Sequence, residues 1–380
     1  MQLLNRNNFF LMELILGVAL GTGHLTSLRF LGKVGISEIL ILIVILFFLK
    51  KYVKTIFSFK RNLESVVRAY LYFSIFFVAP IVTLVVNQPS STPIHIISFS
   101  MSMLLVFSLI QARLQGFDLQ NVALWFLITF FILSVVTLYI YPIENVRFDG
   151  FRYTGGAKNP NQIIYYSQSL TLLLVVFFNR LALIFVPFIV YLSLQAKSDA
   201  YILSLYLSAI FYIFLRFFYL KRYSLGANFL IYIFPALVII FILIFIYKDQ
   251  IITIWNSAGG VARGGLYLNA LEVIKTSPLV GYGFGTFSGK TVPFEGTEAH
   301  SNVFDLAIQF GVIFTLLIYY IFIKALFNAI KQGDYLIASF MFAYIITGLF
   351  HYTARHFVFW VEFSIFYYYV FYQKKKRLDV

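Results

Sequence analysis

The sequence predicts an all-α integral membrane protein, and two observations carry that prediction. Of its 380 residues, 61% are hydrophobic and 12% charged, with a mean hydropathy of +0.87. A soluble globular domain carries roughly 45–50% apolar and about 25% charged residues, so this excess cannot be hidden in one soluble core. Apolar runs of about 20 residues recur along the chain, the length a helix needs to cross a bilayer. They are unlike the short alternating segments of a barrel. The chain has no cysteine, which removes disulfide, iron–sulfur and thiolate chemistry.

Spans are expected near 9–27, 35–49, 69–86, 93–111, 121–142, 163–178, 181–195, 200–218, 228–247, 303–323, 335–350 and 357–372. That makes about 12 in one polytopic domain covering 1–380. Several are shorter than a full crossing, as tilted or re-entrant pieces would be. The first run follows Met-Gln-Leu-Leu-Asn-Arg without a small-residue cleavage site, so it is expected to be a span and not a signal peptide.

Orientation follows from the distribution of Lys and Arg, which collect on the cytoplasmic side. The larger share of the 29 basic residues falls on one set of alternate loops, including 50–68, 216–222 and the terminal block 374–377. Both termini are therefore expected inside. The net charge of +14 has the same topological origin and does not call for nucleic acid as a partner. The remaining basic residues cluster in the loops 143–162 and 248–302, on the opposite face, where topology does not explain them.

The first of these loops reads Arg147-Phe-Asp-Gly-Phe-Arg152-Tyr-Thr-Gly-Gly-Ala-Lys158-Asn-Pro-Asn161. Asn-Pro-Asn is a turn that can cap the following helix, with Asn161 or its neighbour at the N-cap. A helix N-terminus flanked by Arg152 and Lys158 suits an anion, because free N–H groups and the helix dipole both favour negative charge. An ordinary charged, capped loop would look the same. Lys197 and Asp199 lie between two apolar spans, where they form either a structural pair or, through Lys197, a further cation for the outer cavity.

The loop 248–302 is too long to be a bare connection. It carries Arg263 at the head of a helix with Leu266, Ala270, Leu271 and Ile274 on one face, ending before Pro278. A tight backbone turn is expected at Gly281-Tyr282-Gly283-Phe-Gly285, which lacks the spacing of a phosphate-binding fingerprint. His300 follows Glu295 and Glu298 and stands just before the span that Asn302 opens. Histidine is the usual general base near neutral pH, and Glu298 is placed to orient it. His351 and His356 share the same face, but Arg355 between them opposes a metal ion, and no H-E-x-x-H spacing occurs. No cofactor or metal is expected.

Taken in order, the motifs resemble the O-antigen polymerase and O-antigen ligase superfamily of bacterial envelopes. They are an arginine loop leading into Asn-Pro-Asn, an arginine-headed helix in a long outer loop, Ser-Pro-Leu-Val-Gly-Tyr-Gly-Phe-Gly, and His-Ser-Asn before a helix containing Gly311. The similarity covers roughly 147–315. It implies a C-type (GT-C-like) membrane glycosyltransferase at the periplasmic face of the bacterial inner membrane. The donor it implies is an undecaprenyl-diphosphate-linked oligosaccharide, used without nucleotide or metal. Arg263 and His300 match functional positions of the ligases, whereas Lys197 stands where ligases carry arginine.

A lysine keeps the charge but not the two-pronged grip on phosphate, which favours a polymerase. In that reading the lipid-linked oligosaccharide is donor and acceptor, and a chain-length regulator protein is a further partner. The expected catalytic residues are His300, Arg263 and Glu298. Substrate contacts are expected from Arg147, Arg152, Lys158, Asn161, Lys197, Tyr282, Asn302 and Arg355. A ligase acting on lipid A core is the alternative. A lipid-linked glycan flippase is the second, though the halves of the chain show no repeat such a transporter would carry.

Overall fold

A computed structural model describes residues 6–26, 34–56, 62–85, 92–140, 148–149, 152–157, 159–196, 198–220, 260–285 and 298–372. The expected span 228–247, the basic block 374–377, and Arg147, Lys158 and Lys197 lie outside these residues. In chain order the helices are α1 (Arg6–Thr22), α2 (Ile36–Ile56), α3 (Leu63–Val85), α4 (Thr92–Arg113) and α5 (Leu119–Val135). Then come α6 (Pro160–Phe177), α7 (Asn179–Gln195), α8 (Asp199–Leu220) and α9 (Gly260–Thr276). The last four are α10 (Asn302–Phe310), α11 (Val312–Gln332), α12 (Tyr335–Phe350) and α13 (Phe357–Phe371). Among the described residues five helical stretches are long and apolar enough to cross a membrane: 63–85, 95–113, 119–139, 200–217 and 312–332.

The helices pack through apolar side chains with few polar ties between them. The centre is α13, whose Trp360, Phe363, Phe366 and Tyr367 are fully buried. Rings from α4 and α11 close on it: Phe99 meets Trp360 at 5.9 Å and Phe322 meets Phe366 at 4.7 Å between centroids. Glu13, buried within α1, accepts the Asp118 N–H at 2.6 Å and the Asn121 side-chain N–H at 2.7 Å. A carboxylate is thereby held at the N-terminus of α5, where the helix dipole favours it.

Two expectations are corrected. The apolar run 303–323 is not one helix, because the chain breaks at Gly311, whose φ is 85°. The cause is distant in sequence. Residues 278–284 cross the end of α10, where Tyr282 N–H donates to Ile308 O at 2.7 Å, Gly283 N–H to Gln309 O at 3.0 Å, and Val312 N–H to Pro278 O at 2.8 Å. The first two satisfy carbonyls that the end of α10 leaves open, and the third satisfies an N–H at the start of α11. A Cβ on Gly311 would lie 2.0 Å from Leu279 O, so no other residue fits.

The second correction concerns α9. Its buried face is Ala270 and Val273, packed on Ala299 and Ile308, whereas Leu271 is exposed. The helix does end before Pro278, and Arg263 lies in its first turn.

The glycine run is a wedge. Gly281 and Gly283 have φ of 71° and 78°. Beyond them Phe284 is fully buried against Phe99 and Phe310, and its N–H donates to Thr83 Oγ1 at 2.8 Å. Thr83 lies on α3 beyond a π-helical turn at Ser74–Val78, next to Pro80, whose missing N–H interrupts the α-helical ladder there. The run therefore ties α3, α4 and α10 together.

Candidate functional site

One end of the bundle gathers the starts of α2, α4, α6, α10 and α13, and Arg152, Asn161, Glu298, His300, Asn302 and Arg355 lie there. The hairpin formed by Phe148–Asp149 and Arg152–Tyr153 precedes α6. The N-cap of α6 is Asn159, and not Asn161 or its neighbour as expected: the Asn159 side chain accepts the Asn161 N–H at 2.9 Å, and Pro160, which has no N–H to leave unpaired, takes the first helical position. Arg152 Nε donates to Ala196 O at 2.9 Å and Nη2 to Asn161 Oδ1 at 3.0 Å. Both partners are neutral, so among the described residues no carboxylate offsets this guanidinium. The hairpin cation is thereby fastened to the last residue before Lys197 in the chain.

His300 stands at the turn into α10 with φ of 56°, the only non-glycine described with positive φ. A left-handed histidine is uncommon and needs its neighbours to hold it. Here Asp305 does so, its two oxygens accepting the N–H groups of Ala299 and Ser301, each at 2.9 Å. Burial pushes the Asp305 carboxyl up to about 7, helped by nearby Glu298 and opposed by the two N–H donors and Arg355.

Asn302 braces the same turn from the other side. Its Oδ1 accepts Thr353 N–H at 2.7 Å and Ala354 N–H at 3.0 Å, and its Nδ2 donates to Thr353 Oγ1 at 2.8 Å. The side chain expected to meet substrate is thus committed to the loop 351–356.

That loop delivers Arg355. Its Nη1 donates to Glu298 Oε1, and its Nε to His356 Nε2 at 3.3 Å. Burial works against the guanidinium charge, but the Glu298 carboxylate foremost, with Tyr165, Tyr352 and Asp305, outweighs it and raises the pKa. The other Glu298 oxygen lies 3.6 Å from His300 Nδ1. That is an ion-pair separation, longer than a hydrogen bond, of the kind that tightens in substrate complexes. Glu298 is thus shared between a guanidinium and an imidazole, and the imidazole side chain is half exposed.

Arg355 also lines a cavity of about 520 Å³. Val34, Ile39, Leu42 and Ile97, all more than 40% exposed, form its apolar side on the approach to α2 and the first turns of α2 and α4. His95, Gln162, Tyr166, Arg355 and His356 form its polar end. Glu38 also lines it, with Oε2 accepting the Gly35 N–H at 2.9 Å.

The expected residues therefore separate into groups. Glu298, His300 and Arg355 come together. Arg152 and Asn161 join each other at the α6 start. Tyr282 turns to α9, its hydroxyl 2.7 Å from Thr276 Oγ1, and packs in the small cluster with Ala270 and Ile308. His95, Gln162 and Tyr166 were not anticipated. For His95 a signal existed, because an ionisable side chain inside a predicted span is a functional hint in itself.

No protein-family model and no curated protein sequence matches the chain. What the fold defines is a class: a predominantly helical, multi-pass membrane protein. At one end of its bundle it carries a paired guanidinium, carboxylate and imidazole beside an amphiphilic cavity.

Proposed function

We propose that the protein is a metal-independent C-type membrane glycosyltransferase that polymerises oligosaccharide repeat units carried on undecaprenyl diphosphate. In this reading about 12 spans place both termini in the cytoplasm of a bacterium and the site at the periplasmic face of the inner membrane. The observation that carries it is the Arg355–Glu298–His300 trio, whose Arg355 lines a cavity that is apolar on one side and polar at its end. A substrate matching that cavity has a long apolar chain, an anionic link and a hydroxyl-rich head.

The reaction needs cations on the leaving diphosphate and a base for the acceptor hydroxyl. Arg152, lacking a carboxylate partner among the described residues, and Lys158, Lys197 and Arg263 supply positive charge. Such contacts strengthen as the leaving group gains charge. His300, turned toward Glu298, takes the proton as the acceptor oxygen attacks the anomeric carbon from the side opposite the diphosphate. Glu298 then stabilises the imidazolium that forms. The motif order of 147–315 supports the superfamily, and the lysine at 197 favours a polymerase over a ligase. Incubating the purified protein with one lipid-linked repeat unit, without metal or nucleotide, tests the reading through the appearance of longer lipid-linked chains.

A further inference from the structure

One buried acid plays no part in the reading above. Glu362, in the second turn of α13, is fully buried, and among the described residues it forms no ion pair. An ionisable side chain inside a membrane bundle is expensive, and it marks an ion or proton site unless a partner neutralises it. The groups facing it are hydroxyls. Ser169 of α6 and Tyr344 of α12 stand beside the carboxyl group, and both are buried.

Their spacing is not that of a hydrogen-bonded cluster. The two Glu362 oxygens, Ser169 Oγ and the Tyr344 hydroxyl all lack a partner in hydrogen-bond geometry among the described residues, and all four atoms are closed to solvent. A protonated carboxyl has an O–H to donate and would draw one of these hydroxyls to hydrogen-bond length. Oxygens that share a cation behave differently, each bonding to the ion and standing off from its neighbours. An all-oxygen ligand set suits hard cations. One carboxylate balances one positive charge, and a space that excludes water also excludes an ion as large as potassium.

We infer that Glu362, Ser169 and Tyr344 form a buried site for a single sodium ion between α6, α12 and α13. A polar path leads to it from the end of the bundle that carries the trio. Nearer that end, Thr347 Oγ1 accepts from Gln168 Nε2 at 2.8 Å, and beyond it the Tyr165 hydroxyl lies 3.4 Å from His351 Nδ1. The Tyr344 hydroxyl also faces Thr353, whose Oγ1 accepts from Asn302 Nδ2. An ion held by Tyr344 therefore braces the loop that delivers Arg355. The inference stands apart from the transferase reading, because the ion touches none of the groups proposed to act on substrate and takes no part in the transfer.

In the test, full-length protein in detergent is heated in sodium, potassium or choline chloride at constant ionic strength, and unfolding is followed by intrinsic tryptophan fluorescence. Sodium should raise Tm saturably, by about 2–4 °C over choline, and potassium should not. Glu362→Gln, whose neutral amide needs no counter-ion, should fold and lose the sodium response. Ser169→Ala should shift the half-saturating sodium concentration upward by roughly fivefold. Glu272→Gln, at an exposed position on α9, should respond as wild type. Radioactive sodium should bind wild type at one ion per chain.

A wild-type Tm that is the same in all three salts overturns the site and leaves Glu362 a protonated acid. A sodium response that survives in Glu362→Gln overturns it as well. Where Glu362→Gln does not fold, the binding measurement on wild type decides. One saturable ion per chain, displaced by unlabelled sodium and not by potassium, supports the site, and no saturable binding overturns it.

Discussion

Asp305 fixes His300 through the backbone on either side of it and not through the imidazole. Its two oxygens take the N–H groups of Ala299 and Ser301, so the histidine between them is held at φ 56° while its ring stays half exposed. The arrangement separates the rigid part of the turn from the part that meets solvent or substrate.

The arrangement predicts a pH dependence of stability. The folded Asp305 pKa of about 7 stands above its ordinary 3.8, so the unfolded chain ionises first as pH rises. The stability conferred by the neutral form is complete below about pH 4 and is lost progressively up to about pH 7. The loss is on the order of 4 kcal/mol. Thermal unfolding in detergent should show the difference between wild type and Asp305→Asn falling with pH over that interval and level above it. A difference independent of pH would contradict the assignment.

The Arg355–Glu298 pair is buried enough to matter, with side-chain exposures of 27% and 11%. Removing one partner leaves the other charge uncompensated, which costs about 3–5 kcal/mol for a fully buried pair and less here. Arg355→Ala and Glu298→Gln should each destabilise the protein by about 1–3 kcal/mol, and the double variant by less than their sum. A double-variant cycle of unfolding midpoints measures the coupling; strict additivity would mean the two do not interact.

Asn302 has a different expected signature. Losing its three bonds to Thr353 and Ala354 should cost about 2–3 kcal/mol, because two buried N–H groups lose their acceptor. Asn302→Ala should therefore lower folded yield and Tm. A variant with normal Tm and lost substrate binding would restore Asn302 to the substrate.

The glycines divide in the same way. A Cβ on Gly283 would lie 2.1 Å from Thr83 Oγ1 and 2.7 Å from Ala79 O, whereas one on Gly264 or Gly265 meets nothing within 4 Å. Gly283→Ala should destabilise by roughly 1–3 kcal/mol or more from φ strain and overlap. Gly264→Ala and Gly265→Ala, inside α9, should stabilise by about 0.5–1 kcal/mol each. Tm shifts of opposite sign are the readout.

The sequence revealed what depends on local pattern and missed what depends on distant contacts. Apolar run length located the helices, and Asn159-Pro160-Asn161 announced the cap of α6 because capping is a matter of adjacent residues. Gly311 lay inside an apolar run and gave no local sign of a break. The break comes from residues 278–284 docking across it, a contact that periodicity does not encode. At the site, His300, Glu298 and Arg355 stood out as charged groups at span ends. Their convergence was not legible, since Arg355 and Glu298 lie 57 positions apart. His95 was lost in the apolar context Pro-Ile-His95-Ile-Ile, where hydropathy outweighs a single imidazole.

The central claim is transfer from a lipid diphosphate with His300 as base. The measurement is gel analysis of purified wild type and His300→Ala incubated with one lipid-linked repeat unit, free of metal and nucleotide, both proteins first shown to be folded. The account predicts a ladder of lengthening lipid-linked chains from wild type, and a rate at least 100-fold lower from His300→Ala. A ladder unaffected by His300→Ala would contradict the base. Transfer only after lipid A core is added would make the protein a ligase, and no product from wild type with either acceptor would contradict the account as a whole.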